Sequence, residues 1–501
     1  MATTPATQQF IILPAQGMRS FARADTGESG RFLVNLALHH MSATSKDIFN
    51  IGEQPQLGIK VLDSVHEDGA KLVEADAESF AALRRAQPGL RLVPLVYYQP
   101  AVAPHLTVMS GPRIAAAAAG VKIKVTIVSR KNGSPVPGAT VVAFTNFAQR
   151  TGAQGVTNNQ GVVTLAFGSS TKKIERLYIY PATGYWPALK KKITLTSGMQ
   201  IPLIPVDLSY RDALRHFYGN AADTAGAGIT VGVIDTGVAA HPDLTIAGGA
   251  NTVVGENPND YGDNGEGHGT HVAGIIAAHG TPPAGIRGVA PGVTLRSYRV
   301  FGQGSGQASN YAIAKAIDTA VSDGCDLLNM SLGGGPADDA TKGAIADARG
   351  SGCVVIVAAG NDGRQRVSFP ASDALSIAVS ALGRKGTYPG ATTQTAEAMP
   401  PYGRDRKNYI ASFSNIGPEI DLTAPGVGII STYPGGYAVL DGTSMACPAA
   451  AGIAAKLLGA RGDILGMSRD QARSDAMAAA VLQAARDLGF APIYEGQGMV
   501  P

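Results

Sequence analysis

The pattern of hydrophobic and polar positions changes twice along the chain, which predicts three structural units. We assign residues 1–105, 120–206 and 207–501 to these units and residues 106–119 to a linker. A chain of 501 residues is too long for a single hydrophobic core, so a division of this kind is expected.

The first unit carries a mixture of strand and helix patterns. Short apolar runs predict strands at 8–15, 57–65, 69–75 and 88–98. Residues 76–86 have helical spacing, and Asp76 is placed to cap that helix. The strand–strand–helix–strand order at the end of this unit is typical of a ferredoxin-like α/β sandwich.

The second unit alternates hydrophobic and polar residues with the two-residue period of strands. Residues 121–130 and 139–144 show this alternation, and NNQG at 158–161 is a hairpin signal. Short strands separated by frequent turns predict a small all-β sandwich, and the segment resembles carboxypeptidase-regulatory-like or immunoglobulin-like modules. The sequence does not indicate what this unit does.

The third unit alternates continuous apolar runs with helical stretches, which predicts an α/β domain with a parallel sheet covered on both faces. Active sites in such domains lie at the carboxyl ends of the strands. Polar residues follow three of the apolar runs, namely Asp235, Ser331 and Asn361. We therefore expect a site where these residues meet.

Composition excludes several classes of protein. The net charge is only +3, and no basic stripe is interleaved with aromatic residues, so a nucleic-acid partner is not expected. Three cysteines do not make a disulfide framework and are expected to be buried thiols, although Cys447, one helical turn after Ser444, is also a candidate reactive or oxidation-sensing thiol. No window is long enough for a membrane span and no signal peptide precedes residue 22, so the chain as written is expected to be cytoplasmic, or secreted if a signal was removed.

Three segments carry the side chains of a serine hydrolase. Ser444 lies in GTSMACP at the start of an Ala-rich helical stretch, His268 lies in GHGTHVAG, and Asp235 ends the run VGVIDTG. A hydroxyl, an imidazole and a carboxylate are the nucleophile, the general base and the orienting group of such an enzyme.

These segments resemble the subtilisin family of serine endopeptidases over residues 207–495. The resemblance is carried by eight motifs in Asp, His, Ser order: DTG (235–237), HPDL (241–244), HGTHVAG (268–274), GVAP (288–291), NMSLGG (329–334), AAGN (358–361), APG (424–426) and GTSMA (442–446). It implies peptide-bond hydrolysis through an acyl-enzyme on Ser444, with Asn361 in the oxyanion hole and polypeptides as substrates. The chemistry requires no cofactor.

The resemblance also implies how a substrate is held. Ser331, Leu332, Gly333 and Gly334 match the segment that pairs with an extended substrate. Ala358, Ala359 and Gly360 match one wall of the primary specificity pocket. Ser368 stands at the pocket floor where many members have glycine, which predicts modest-sized or polar residues before the cleaved bond.

Other positions depart from the family pattern. Asp243 matches a calcium ligand of secreted members, but the loop HGTPPAGIRG (279–288) has prolines where a side-chain ligand is expected, which argues against a strong calcium site. His271 is structural in the family, and no further ligands are spaced for zinc. The long insertion at 383–410 is predicted to be a loop that rims the cleft or binds a partner.

Residues 59–100 resemble the inhibitory propeptide of subtilisins, which implies an N-terminal unit that assists folding and blocks the cleft as an intramolecular inhibitor. Two other functions remain open. One is a catalytically idle relative that only binds. The other is a transpeptidase or peptide-maturing enzyme, because aminolysis of an acyl-enzyme uses the same residues as hydrolysis.

Overall fold

The computed structural model describes residues 7–19, 28–42, 58–109, 120–168 and 172–501. The part of the predicted linker from 110 to 119 therefore lies outside the described residues. Within the described part of the chain, no helix is both long enough and apolar enough to cross a membrane.

The described residues of the N-terminal unit form one antiparallel sheet and two helices in the order βαββαβ. Its elements are β1 (Gln8–Leu13), α1 (Glu28–Ser42), β2 (Ile59–Ser64), β3 (Lys71–Ala75), α2 (Ala77–Ala86) and β4 (Arg91–Pro94). The strand order is β2-β3-β1-β4. Asp76 accepts a 2.7 Å hydrogen bond from the amide of Ser79, which confirms the predicted helix cap.

Both faces of this sheet are buried, which explains the continuous apolar run in β1. Phe10 and Ile12 face a core shared with the unit's own helices. Ile11 and Leu13 face the opposite way, into a core shared with the third unit. Alternate side chains of a strand point to opposite faces, so a strand covered on both sides is apolar throughout.

The second unit, which we call the β module, consists of two sheets around one apolar core. Among the residues described in this unit, the strands are β6 (Lys122–Ser129), β7 (Thr140–Asn146), β8 (Thr151–Val156), β9 (Val162–Ala166), β10 (Lys173–Tyr180), β11 (Ala188–Thr194) and β12 (Met199–Leu203), with β5 (Tyr97–Pro100) preceding them in the chain. The sheets have the orders β11-β10-β7-β8 and β12-β6-β9.

The third unit is built on a mostly parallel sheet with helices on both faces. Its elements are α3 (Ala213–Tyr218), β13 (Thr230–Asp235), β14 (Gly249–Asn251), α4 (His268–Ala277), β15 (Thr294–Arg299), β16 (Ala308–Ser309), α5 (Asn310–Ser322), β17 (Leu327–Met330), β18 (Leu332–Gly333), α6 (Asp339–Gly350), β19 (Val354–Ala358), β20 (Ser376–Arg384), a 3₁₀ turn (Thr393–Ala396), β21 (Asn408–Ile410), β22 (Leu422–Pro425), β23 (Ile429–Tyr433), β24 (Gly436–Leu440), α7 (Thr443–Gly459), α8 (Gly462–Leu465), α9 (Gln471–Gln483) and α10 (Pro492–Glu495). The strand order is β14-β15-β13-β17-β19-β20-β21, and β22 also pairs with β20. The predicted parallel sheet is confirmed, with β21 as an antiparallel strand at one edge.

The prediction of a single strand at 88–98 was wrong, because two separate strands lie in this region. The chain leaves the N-terminal sheet after Pro94 and forms β5, which pairs with β16 and β18 of the third unit. These partners lie more than 200 residues away in sequence, so the local apolar pattern cannot separate the two strands. The segment from Tyr97 onward therefore belongs to the third unit's cleft.

Candidate active site

The parallel sheet brings the three predicted catalytic side chains to one edge. Asp235 is the last residue of β13, His268 is the first residue of α4, and Ser444 lies in the first turn of α7. Nδ1 of His268 and Oδ1 of Asp235 are 2.6 Å apart, and the same oxygen accepts the amide hydrogen of Thr236 at 2.7 Å. The hydrogen bond between Asp235 and Nδ1 orients the imidazole of His268, so that Nε2 points away from the carboxylate.

The hydroxyl of Ser444 has a different partner in this structure. Its Oγ donates to the carbonyl oxygen of Ser331 at 3.0 Å. Nε2 of His268 is buried and has no hydrogen-bond partner within the described residues. Catalytic hydrogen bonds are often unmade in a resting site, and a turn about χ1 of Ser444 changes the direction of its hydroxyl.

Asn361 and the start of α7 form a pair of hydrogen-bond donors. Oδ1 of Asn361 accepts the amide hydrogen of Thr443 at 2.9 Å, which fixes the side-chain amide with Nδ2 facing the cleft. Nδ2 donates to the carbonyl oxygen of Ala101, and the amide of Ser444 donates to the same oxygen at 3.1 Å. Two donors on one carbonyl oxygen are the arrangement of an oxyanion hole.

The carbonyl in that hole belongs to the chain's own segment, Tyr97–Ala103, which crosses the cleft. Gln99 pairs with Gly333 and Pro100 with Leu332, while Tyr98 pairs with Ala308 on the other side. The segment thus lies as an antiparallel strand between β16 and β18. The predicted substrate-pairing residues Leu332 and Gly333 contact this segment directly, and Gly334 follows at a turn with φ +91°.

Backbone contacts continue on both sides of Ala101. Its amide donates to the carbonyl of Ser331 at 2.9 Å, and the amide of Ala103 donates to the carbonyl of Asp441 at 2.9 Å. A Cβ at Gly442 would lie only 2.9 Å from the Ala101 oxygen. A glycine at this position therefore allows the segment's backbone to lie against the start of α7.

The predicted pocket residues lie together beside Ala101. Ala358 ends β19, and the carbonyl of Ala359 accepts the amide hydrogen of Ser368 at 2.9 Å. A Cβ at Gly360, whose φ is +104°, would collide with Oγ of Ser368. Oγ of Ser368 accepts a 3.1 Å bond from Nδ2 of Asn415, so the hydroxyl is held in place at this wall.

One oxygen of the Asp243 carboxylate already has two hydrogen-bond donors. Its Oδ2 accepts the amide hydrogen of Ile286 at 2.8 Å and the hydroxyl hydrogen of Tyr437 at 2.9 Å. These donors make Oδ2 less available to a cation, which would have to compete with them. No cluster of three or more His, Cys, Asp or Glu side chains suited to a metal occurs among the described residues.

His271 and the cysteines take no part in the site. Nε2 of His271 donates to the carbonyls of Ile429 and Ala438, both at 3.2 Å, and burial lowers the pKa of this imidazole to about 3, so it is neutral. All three cysteines are free and buried. Burial raises the pKa of each thiol, which is a poor setting for the reactive Cys447 that the sequence left open.

Sequence reasoning missed three groups at this site. Ala101 sits in an apolar, proline-containing stretch that carries no local signal. The backbone carbonyl of Asp441 and the amide of Thr443 act through main-chain atoms, which residue type does not reveal. Only the position of Thr443, directly before Ser444, could have drawn attention to its amide.

Comparisons with known proteins identify a family and several relatives. The family model of the subtilase family matches residues 226–499. Subtilisin DY of Bacillus licheniformis is 42% identical over 239 residues, which are 46% of this chain and 77% of that protein. Subtilisin Savinase of Lederbergia lenta is 43% identical over 232 residues, 46% of this chain and 76% of that protein, and the M-protease of Shouchella clausii is 43% identical over 232 residues, 46% of this chain and 54% of that protein.

Proposed function

Because the chain belongs to the subtilase family and is a subtilisin-like serine endopeptidase, we propose that it is made as a self-inhibited precursor that cuts its own Ala101–Val102 bond. The observation that carries this proposal is the Ala101 carbonyl oxygen, which accepts hydrogen bonds from both Asn361 and Ser444. A carbonyl held there is the one that a neighbouring serine attacks. The bond on its leaving side joins Ala101 to Val102.

The proposed reaction assigns one role to each side chain. Nε2 of His268 takes the proton of the Ser444 hydroxyl as Oγ attacks the Ala101 carbonyl carbon, and Asp235 stabilises the imidazolium that forms. The oxyanion is stabilised by the amide of Ser444 and by Nδ2 of Asn361. The carbon–nitrogen bond then breaks, and His268 gives its proton to the nitrogen of Val102. Water, activated by the same imidazole, releases Ala101 as a free carboxylate.

The N-terminal unit has the contacts of an inhibitor in cis. Its βαββαβ order supports the predicted ferredoxin-like fold, just as the two sheets of the β module support a β-sandwich. One sheet face packs against α5 and α6, where Arg19 pairs with Asp318 at 2.9 Å and Lys315 pairs with Asp63 at 2.5 Å. This docking holds β5 in the cleft, so that no other polypeptide can enter it.

The self-cleavage is tested by intact mass measured over time for the wild-type chain and for Ser444→Ala. We expect wild type to give fragments ending at Ala101 and beginning at Val102, and Ser444→Ala to stay whole. Labelling of Ser444 by a fluorophosphonate should appear as the fragments form, because the cleft opens when residues 1–101 leave. A wild-type chain that stays intact, or one that is cut first at another bond, would contradict the proposal.

We further propose that the primary pocket accepts small or modest-sized residues. Ala101 occupies the position before the proposed cleavage, and Ser368 is held at the pocket wall by Asn415. A set of short peptides that differ only at this position should be cleaved best with Ala or a small polar residue. Faster cleavage after Phe or Tyr would refute this preference.

A further inference from the structure

The β module lies on the leaving-group side of the proposed cleavage. Residues 102–109 run out of the catalytic centre and across the outer face of the sheet β11-β10-β7-β8. Counted from Val102, an extended chain reaches Val108 after about 20 Å, at roughly 3.3 Å per residue. A cleft of about 840 Å³ follows the same course and is lined by both the β module and the third unit.

That outer face is apolar and aromatic, where an outward sheet face is normally polar. Alternate residues of β7 and β10 point to it, and Phe144, Tyr178 and Tyr180 are each less than 10% exposed. The side chains of Leu106 and Val108 pack against these aromatic residues and help to cover them. Thr107, which lies between them, is exposed, as expected for an extended segment that turns alternate side chains toward a surface.

Polar contacts fix the register of the segment on the face. The ring of His105 stacks on Tyr180 with centroids 3.9 Å apart and planes at 13°. The hydroxyl of Tyr180 accepts the amide hydrogen of Leu106 at 3.2 Å. Oε1 of Gln154 accepts the amide hydrogen of Val108 at 2.8 Å. Two of these three contacts are to main-chain atoms, which any polypeptide can supply.

The face is held rigidly beside the catalytic centre. Trp186 is buried between the units, and the amide of Leu189 donates to the carbonyl of Ala391 at 2.9 Å. The amide of Thr393 donates to the carbonyl of Pro187 at 3.2 Å. A site that extends a substrate cleft must lie at a constant distance from the reacting serine. These contacts hold the face at such a distance.

From these observations we infer that the outer face of the β module is a substrate-binding site for the leaving-group side of extended polypeptides. It selects a ring at the fourth residue after the cleaved bond and apolar side chains at the fifth and seventh. Residues 102–109 are its first occupant. The inference rests on the proposed function, because it counts residues from the Ala101–Val102 bond.

The test compares two internally quenched peptides with the same cleavable bond, a short one spanning the sequence Tyr97–Ala103 and a long one spanning Tyr97–Met109. To leave the face free, the enzyme is prepared from the full-length chain carrying His105→Gly, Leu106→Gly and Val108→Gly, which is first allowed to cut itself and is then separated from residues 1–101. We expect kcat/KM for the long peptide to exceed that for the short one by about tenfold, from one ring stack and the added hydrogen bonds.

Matched variants in this background locate the effect. Tyr180→Ala should lower kcat/KM for the long peptide to that of the short one and leave the short one unchanged, which also shows that the catalytic unit is folded. Tyr180→Phe keeps the ring stack and loses the hydroxyl acceptor. Its kcat/KM for the long peptide should lie between the values for the Tyr180 enzyme and for Tyr180→Ala. Thr164→Ala, an exposed position on the other sheet, should change neither peptide.

A long peptide that is cleaved no faster than the short one, or a Tyr180→Ala variant that keeps the full advantage, would overturn the inference. Failure to cleave even the short peptide would contradict the proposed function itself, and the inference with it.

Discussion

Tyr98 holds the segment Tyr97–Ala103 in the cleft, and if this segment inhibits as proposed, loss of the Tyr98 contacts should weaken inhibition by a calculable amount. The Tyr98 ring is fully buried, its hydroxyl donates to Oδ2 of Asp338 at 2.5 Å, and the carbonyl oxygen of Pro336 lies 2.9 Å from the same hydroxyl oxygen. Burial raises the pKa of this phenol, so it remains a donor at working pH. Asp338 also accepts the amides of Ala340 and Thr341, so it keeps partners when the hydroxyl is lost.

The cost of Tyr98→Phe is therefore about 1.5 kcal/mol, the low end for a bond to a charged group, or roughly tenfold in affinity. Tyr98→Ala also removes a buried ring and should cost about 3–5 kcal/mol. The assay is the inhibition constant of a separately produced 1–101 fragment against the mature enzyme, with a short peptide as substrate.

Tyr97 provides a matched control in the same strand. Its side chain is 51% exposed, so Tyr97→Phe should leave the inhibition constant unchanged within about twofold. Equal inhibition by the wild-type and Tyr98→Phe fragments, or equal weakening by Tyr97→Phe, would refute the assignment of Tyr98 as the anchor.

Three further predictions concern the cleft and its surroundings. Asn361→Ala should lower kcat on a short peptide by about 10²–10³ with little change in KM, the loss known for an oxyanion-hole asparagine of subtilisin; an unchanged kcat would exclude Asn361 from the oxyanion hole. Burial raises the pKa of Asp441 from 3.8 to about 7, so the folded state holds a proton more tightly than the unfolded state and loses stability as pH rises from about 4 to 7. In a Ser444→Ala background, Asp441→Asn should therefore raise the melting temperature more at pH 8 than at pH 4, by the equivalent of about 2–4 kcal/mol, and an equal effect at both pH values would contradict this. Because the donors around Asp243 would compete with a cation, chelation with EDTA should shift the melting temperature by less than about 1 °C, and a loss of several degrees would reveal a site that the structure does not indicate.

Part of the site was predictable from one fold-level rule, whereas His268 and Ser444, which begin helices, were predicted from their motifs and the family resemblance. Parallel strands end at the same edge of a sheet, so Asp235, Ser331 and Asn361 had to lie near one another once the apolar runs were recognised. The N-terminal cap at Asp76 was predictable for a local reason, since a carboxylate before a helix satisfies a free amide.

The segment Tyr97–Ala103 was not predictable to the residue, because its contacts are made with distant main-chain atoms. Residues 88–98 have the pattern of one strand, and nothing local separates β4 from β5. The placement of Ala101 follows from the pairing of Gln99 with Gly333 and of Pro100 with Leu332, and the alternation of side chains does not reveal this long-range register. Helix α1 was also missed, as no pattern was assigned between residues 16 and 56.

The position of the proposed cut gives the two N-terminal units different roles. Hydrolysis of Ala101–Val102 releases the unit whose sheet packs on α5 and α6, and it leaves the β module attached through the chain and through Trp186. The insertion at 383–410 bears on this difference. It was predicted to rim the cleft or to bind a partner, and its residues Ala391 and Thr393 bond to the β module of the same chain. Because this loop holds the module beside the cleft, we propose that the β module stays with the enzyme after the proposed cut and that the N-terminal unit serves its inhibition.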